Sequence, residues 1–171
     1  TEPLMERLFQ HRFKSGSLEG HCFGNLFIAA MTNITGDFQQ AVKEFSKVLA
    51  VSGTVVPATL ENIVLYAETV DGNIIQGESS ISKGAIPIKR VFIKPSDAKP
   101  VKEALDAIRE ADAVILGPGS LYTSIIPNLL IKDITEEIKK TSAYKIFIIN
   151  VMTERGETSN FTASDHINLI N

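Results

Sequence analysis

Cysteine is nearly absent. Cys22 is the only one in 171 residues, which excludes an internal disulfide framework and fits a reducing cytosol. No run of 18 apolar residues occurs, and neither a membrane-inserted segment nor a secretory signal is expected. Charge of one sign is lacking too: 17 basic against 20 acidic residues leave a net charge of −3, with no basic run anywhere. Nucleic acid and membrane surfaces are therefore excluded as expected partners. Two phosphate-binding signatures are also missing. No Lys-Ser/Thr pair follows a glycine loop, and Tyr122 stands where the third glycine of G-x-G-x-x-G would be.

What remains is an ordinary globular composition, 44% hydrophobic and 22% charged. The length suits one domain with a sizeable core, so a single α/β domain over residues 1–171 is expected. The sequence opens TEPLMERLF, without an initiator Met and directly in an amphipathic helix, so a piece of a longer chain is expected.

The organising stretch is AVILGPGSLYTS, residues 113–124. Its four apolar residues predict a strand buried on both faces. Gly117 and Gly119 permit close backbone approach, and Pro118 stiffens the turn. Ser120 is placed to cap a helix in which Leu121, Ile125 and Leu129 recur, until Pro127 and Asn128 disturb the pattern. The free N–H groups of Leu121, Tyr122 and Thr123, beside the hydroxyls of Ser120, Thr123 and Ser124, would then form an anion cradle. A tight strand-to-helix turn explains the same pattern without a ligand. The three clustered hydroxyls tip the reading towards phosphate.

In chain order, residues 2–9 read as a helix, followed by a basic patch at His11, Arg12 and Lys14. Residues 24–31 are almost wholly apolar and predict a buried helix, with Gly20-His21 and Gly24-Asn25 at its entrance. His21 and Asn25, four apart, would share one helix face, and a structural hydrogen-bonded pair explains them on pattern alone. Gly36-Asp37 opens a helix with an apolar stripe at Phe38, Ala41, Val42, Phe45, Val48 and Leu49. Beyond Ser52-Gly53 the period shifts towards 2. Strands are predicted at 54–57, at 63–70 with an Asp71-Gly72 type I′ hairpin returning through 73–78, and at 86–93 as an edge strand. Residues 101–111 form an amphipathic helix leading into the 113–116 strand, read as a β-α-β crossover. Asp133 is placed as the cap of a further helix, with a Glu136 to Lys140 pair, before a second buried strand at 145–149. Asn150 ends that strand. The polar run NVMTERGETSNFTASDH follows, carrying Thr153, Arg155, Glu157, Thr158, Thr162, Asp165 and His166. Ligands of open parallel sheets bind outside the carboxyl ends of strands, so this run and the GPGS loop are expected to face one crevice. Thr162 to Asp165 also reads as a capping box.

The phrases GHCFGNL, GTVVPAT, GPGSLYTSIIPNLL and NVMTERGET with TASDH, in this order, closely resemble the bacterial gluconeogenesis-factor proteins, relatives of the 2-phospho-lactate transferases. The resemblance implies a Rossmann-like α/β fold, with a mostly parallel sheet, helices on both faces and a small antiparallel hairpin segment. It also implies a cytoplasmic homo-oligomer that binds a nucleotide or nucleotide-sugar. In the gluconeogenesis-factor branch the ligand is UDP-N-acetylglucosamine-like, and the role lies in cell shape and wall synthesis on gluconeogenic carbon. In the transferase branch a phospholactyl group passes to a deazaflavin, with a nucleoside-diphosphate leaving group and magnesium. The uninterrupted GPGSLYTSIIPNLL and NVMT phrases look more like the first branch. The family's opening βα unit with its G-G-G-T-G loop, its Asp-Asp-Gly-Gly segment and its C-terminal strand region have no counterpart in this sequence. Magnesium is thus implied for the full-length family and no metal ligand is assigned here. Phe161 stands where the family commonly has Tyr; a base could stack on it without the hydroxyl. The resemblance also places the G-H-x-x-G-N phrase beside the crevice. The expected ligand-binding set is His21, Asn25, Gly117, Gly119, Ser120, Thr123, Ser124, Asn150, Thr153 and Phe161, with no catalytic residue assigned. A regulatory nucleotide-sugar-binding protein is expected in preference to a transferase, with an inactive α/β scaffold as the third reading.

Overall fold

In the computed structural model, which describes residues 2–48 and 53–170, the chain divides after Pro57 into two units, each with its own contacts. The first holds three helices, α1 (Glu2–Phe9), α2 (Phe23–Thr35) and α3 (Phe38–Val48). Phe9 is their common contact. Its ring meets those of Phe23, Phe27 and Phe45 edge to face at 5.5, 5.3 and 5.3 Å, the arrangement aromatic quadrupoles favour. Gly24 lets α2 lie against the end of α1, because a Cβ there would stand 3.0 Å from the Phe9 carbonyl oxygen. Asp37 caps α3 as the sequence implies, its Oδ1 accepting the Gln40 N–H at 2.6 Å.

The expectation of a buried α2 fails: none of its described residues is buried, and Ile34 is 78% exposed. Within this unit α1 and α3 are its neighbours, and two helices cover only part of its circumference. In the α3 stripe Ala41 and Val42 are buried while Phe38 and Val48 are exposed, and Leu49 lies outside the described residues.

The second unit contains a three-stranded antiparallel sheet, β1 (Val64–Thr69), β2 (Ile74–Gln76) and β3 (Ile88–Lys94), in the order β2-β1-β3. The remaining elements are α4 (Glu78–Ile81), α5 (Lys102–Glu110), β4 (Ala113–Leu116), a π turn (Leu121–Ile125), α6 (Ile126–Leu129), α7 (Lys132–Lys140), β5 (Tyr144–Phe147) and α8 (Ala163–Ile170). Strands β4 and β5 pair in parallel, Ala113 opposite Tyr144 through Leu116 opposite Phe147. One core cluster gathers Ala67, Ile81, Ile88, Val91 and Tyr122, and a second Ile93, Ala98, Ile131 and Ile134. Burying each Ile of this kind is worth roughly 1.5–3 kcal/mol.

The fold is thus mixed α/β, with the antiparallel part larger than the parallel pair. Several local expectations are corrected. Residues 54–57 form no strand. The hairpin turn is not type I′: Gly72 alone has a positive φ, +86°, and the Thr69 N–H donates to the Asn73 carbonyl, so the loop has three residues with glycine at the left-handed position. Strands β3 and β4 lie in different sheets, so the crossover within one sheet runs from β4 to β5. Neither of those two strands is buried on both faces, since Ile115 is 56% and Tyr144 81% exposed. Asp133 does not cap α7 but stands in its first turn, and Glu136 pairs with Lys139 at 3.7 Å rather than with Lys140.

The capping box at α8 is as the sequence reads. The Thr162 N–H donates to Asp165 Oδ2 at 2.7 Å, and the Asp165 N–H donates back to Thr162 Oγ1 at 3.3 Å. The Thr162 N–H, then its hydroxyl, holds the Asp165 carboxyl below its ordinary value. A carboxyl whose folded pKa is depressed stabilises the fold above its unfolded pKa, about 4, and loses that contribution as pH falls through the lower folded value. Amide-exchange protection in α8 should therefore weaken below about pH 4, and Asp165→Asn should remove that pH dependence.

Candidate functional site

The loop after β4 is shaped by two close approaches. Gly117 has φ +83°, and a Cβ there would stand 2.7 Å from the Ile148 carbonyl oxygen, so any larger residue is both strained and clashing. Asn150 then clasps Gly119: its Nδ2 donates to the Gly119 carbonyl at 2.8 Å, and the Gly119 N–H donates to its Oδ1 at 3.3 Å. Gly119 itself is not required by space, since a Cβ would meet Ser124 and Ile125 at ordinary contact distances of 3.5 and 3.8 Å. The ends of β4 and β5 are thereby locked side by side, at the carboxyl edge of the parallel pair.

Of the donors named for the cradle at the helix start, the Tyr122 and Thr123 N–H groups and the Thr123 hydroxyl hold a carboxylate of this same chain. Glu157, 5% exposed, accepts the Tyr122 and Thr123 N–H groups on Oε2 at 2.9 and 3.2 Å. Its Oε1 accepts the Thr123 hydroxyl at 2.6 Å and the Ser82 hydroxyl at 3.2 Å. Glu157 therefore plays the capping part foreseen for Ser120, whose side chain makes no cap hydrogen bond. The TERGET phrase explains how a residue 35 positions away arrives there. Glu157 and Thr158 N–H groups both turn back to the Glu154 carbonyl. Gly156, at φ +91°, lies so close to the Ser82 and Gly84 carbonyl oxygens that a Cβ would stand 2.7 Å from each. Burial, and then the Glu157 charge, pushes the Tyr122 phenol above its ordinary value.

The remaining expected residues are placed as follows. Thr123 is buried with its hydroxyl and N–H spent on Glu157. Ser124 and Thr153 are exposed, and Ser120 is half-buried. Among the described residues, no hydrogen bond is made by the hydroxyls of Ser120 and Ser124 or by the N–H groups of Ser120 and Leu121. Phe161 packs edge-on to Tyr122 at 6.2 Å and to His166 at 5.4 Å, at the side of the first core cluster. His166 is buried, its Nδ1–H donating to the Thr162 carbonyl at 2.9 Å and its Nε2 without a partner.

His21 and Asn25 belong to the first unit and do not share a helix face, because α2 starts at Phe23. His21 is exposed, its carbonyl accepting the Phe13 N–H and its Nδ1 3.2 Å from the Leu18 carbonyl oxygen. Asn25 is exposed on α2, at a shallow groove of about 510 Å³ lined also by Ile28, Thr32 and Phe38. Glu157 is the residue that the sequence reading left without a role. No periodicity or spacing rule links position 157 to positions 122 and 123; an acidic residue following a glycine beyond a strand end was the only available signal.

Among the described residues no group of three or more His, Cys, Asp or Glu stands where it could hold a metal ion. Magnesium, implied for the full-length family, finds no such donor group among the described residues. Neutral donors, rather than an acid-base pair, are what the loop presents.

The whole chain, residues 1–171, matches the model of the family described as 2-phospho-L-lactate transferase CofD. The chain belongs to that family. It is 56% identical to the gluconeogenesis factor of Halalkalibacterium halodurans, over 99% of this chain and 53% of that protein. It is likewise 56% identical to the gluconeogenesis factor of Bacillus subtilis, over 100% of this chain and 54% of that protein. A crystal structure of a UPF0052-family protein from Bacillus halodurans superposes with a TM-score of 0.86 at 56% identity, covering 99% of this chain and 55% of that one. The chain thus spans about half the length of the curated relatives it matches.

Replacing Gly117 by Ala should destabilise the fold by about 2 kcal/mol or more, since it adds left-handed strain to a backbone clash. Denaturant unfolding checks this, with Gly119→Ala, expected to cost under about 1 kcal/mol, as the control.

Proposed function

We propose that this chain carries the nucleotide-sugar site of a cytoplasmic regulatory protein, with a ligand of the UDP-N-acetylglucosamine kind. In this reading the protein serves cell shape and wall synthesis, and the ligand lies in a crevice of a Rossmann-like sheet. The observation that carries the proposal is the set of unspent donors beside the Asn150-clasped Gly119, at the carboxyl ends of both parallel strands. N–H groups and hydroxyls without acid-base partners suit recognition of a diphosphate better than its cleavage. The names of the relatives support the same branch, since they are gluconeogenesis factors. Thr153 and Phe161 are proposed as further contacts, to the sugar and the base.

Calorimetry on the full-length protein tests the reading. Charge-assisted hydrogen bonds contribute about 1.5–3 kcal/mol each, so Ser120→Ala with Ser124→Ala should weaken UDP-N-acetylglucosamine at least tenfold. Parent affinity in that double variant, or no binding by the wild type, overturns the proposal.

Phospholactyl transfer is the second reading, favoured by the description of the matching family. It requires transfer of a phospholactyl group from a phospholactyl-nucleotide donor to a deazaflavin by the full-length protein with magnesium. Turnover in that assay would replace the regulatory reading with the enzymatic one.

A further inference from the structure

Glu157 is a buried carboxylate that nucleotide binding, as proposed above, does not use. Its two oxygens take two backbone N–H groups and two hydroxyls, drawn from the π turn and from the segment after α4. Two of the three helix-start N–H groups of the expected cradle, at Tyr122 and Thr123, are thereby occupied. The next residues back, Ser120 and Leu121, keep theirs.

We infer that Glu157 is a positioning residue of the loop: it is the resident anion of the helix start, and it confines the ligand's phosphates to the Ser120 side. The inference rests on the nucleotide reading and specifies how that site is organised. Tyr122 and Thr123 are held by the carboxylate, so the chain immediately before them, Gly117 to Leu121, is fixed from the helix end while Asn150 fixes it from the strand end. The two clamps act on either side of Ser120. Hydrogen-bond acceptance, rather than charge felt by the ligand, is the operative property.

Glutamine separates those two properties. Its amide oxygen can accept from the two N–H groups, which cannot reverse, while the Ser82 and Thr123 hydroxyls rotate to accept from its NH₂. Alanine removes every acceptor. UDP is the probe, titrated calorimetrically into the full-length protein. Glu157→Gln should bind UDP within threefold of wild type, and Glu157→Ala at least tenfold more weakly. Since alanine at this position could fail to fold, a second measurement needs no variant. In ¹⁵N-labelled wild type, UDP should move the Ser120 and Leu121 amide resonances and leave those of Tyr122 and Thr123 in place. Equal binding by Glu157→Ala overturns the inference, as does a tenfold change of either sign in Glu157→Gln. So does movement of the Tyr122 and Thr123 amides as large as that of Ser120, which would mean that phosphate displaces the carboxylate. A wild type that binds no UDP defeats the nucleotide reading, and this inference falls with it. Binding by the wild type with any of the other three results defeats the positioning role alone.

Discussion

A carboxylate buried against four donors holds the second unit together at the point where its motifs meet. Removing any one donor from Glu157 leaves three, but removing the carboxylate would orphan two N–H groups at a helix start, where backbone donors have no intrahelical acceptor. An unpaired buried polar group costs about 1–3 kcal/mol, so the loss would be large against a typical domain stability of about 5–15 kcal/mol. The helix dipole adds to the attraction, because a negative charge at a helix N-terminus is favoured. The interaction also ties together three segments remote in sequence: residues 82–84, the π turn and the 154–158 turn. Sequence, packing and the candidate site are joined through one side chain.

Legibility of the fold followed the range of the forces. Where a residue's partner lies within one turn, the sequence was readable: the α8 capping box, the Asp37 cap and the edge position of β3 after Pro87 all follow from local chemistry. Where the partner is remote, local rules misassigned it. Ser120 has the right residue type and position for a cap, yet Glu157 supplies a charged acceptor with two oxygens, which outcompetes a single hydroxyl. The hairpin shows the same limit at short range. Asp71-Gly72 matches a two-residue turn, but the Asp71 carboxylate instead accepts the Thr69 hydroxyl at 2.5 Å and the Asn73 side-chain amide at 2.7 Å, which favours the three-residue loop.

The parallel pair was recognised by composition and mistaken in environment. Four apolar residues in a row say that a strand avoids water on both faces, because the crossovers of parallel sheets put helices there. In the described structure Ile115 and Ile146 remain 56% and 45% exposed. An apolar run of this kind therefore specifies a strand without deciding how much of it is buried. Helix α2 carries the same discrepancy, apolar nearly throughout and buried at none of its described positions. Both elements read as core in the sequence for the same reason, and neither reading could say what lies against them.

The glycines of the candidate site separate two causes that sequence alone merges. Gly117 and Gly119 looked equivalent, both leaving the main chain open to a ligand. The structure distinguishes them: Gly117 is demanded by the fold, at positive φ and against the Ile148 carbonyl, whereas a side chain at 119 has room beside Ser124 and Ile125. Gly156 belongs with Gly117, since its contact with the carbonyls of residues 82 and 84 is what brings Glu157 to the π turn. Two of the three glycines thus serve backbone-to-backbone contact, which is a requirement of packing. Only Gly119, clasped by Asn150 through both its polar groups, has no steric reason to be glycine. Room for a ligand at the main chain accordingly lies at Gly119 and at the unspent donors of the next two residues, and not across the GPG pattern as a whole.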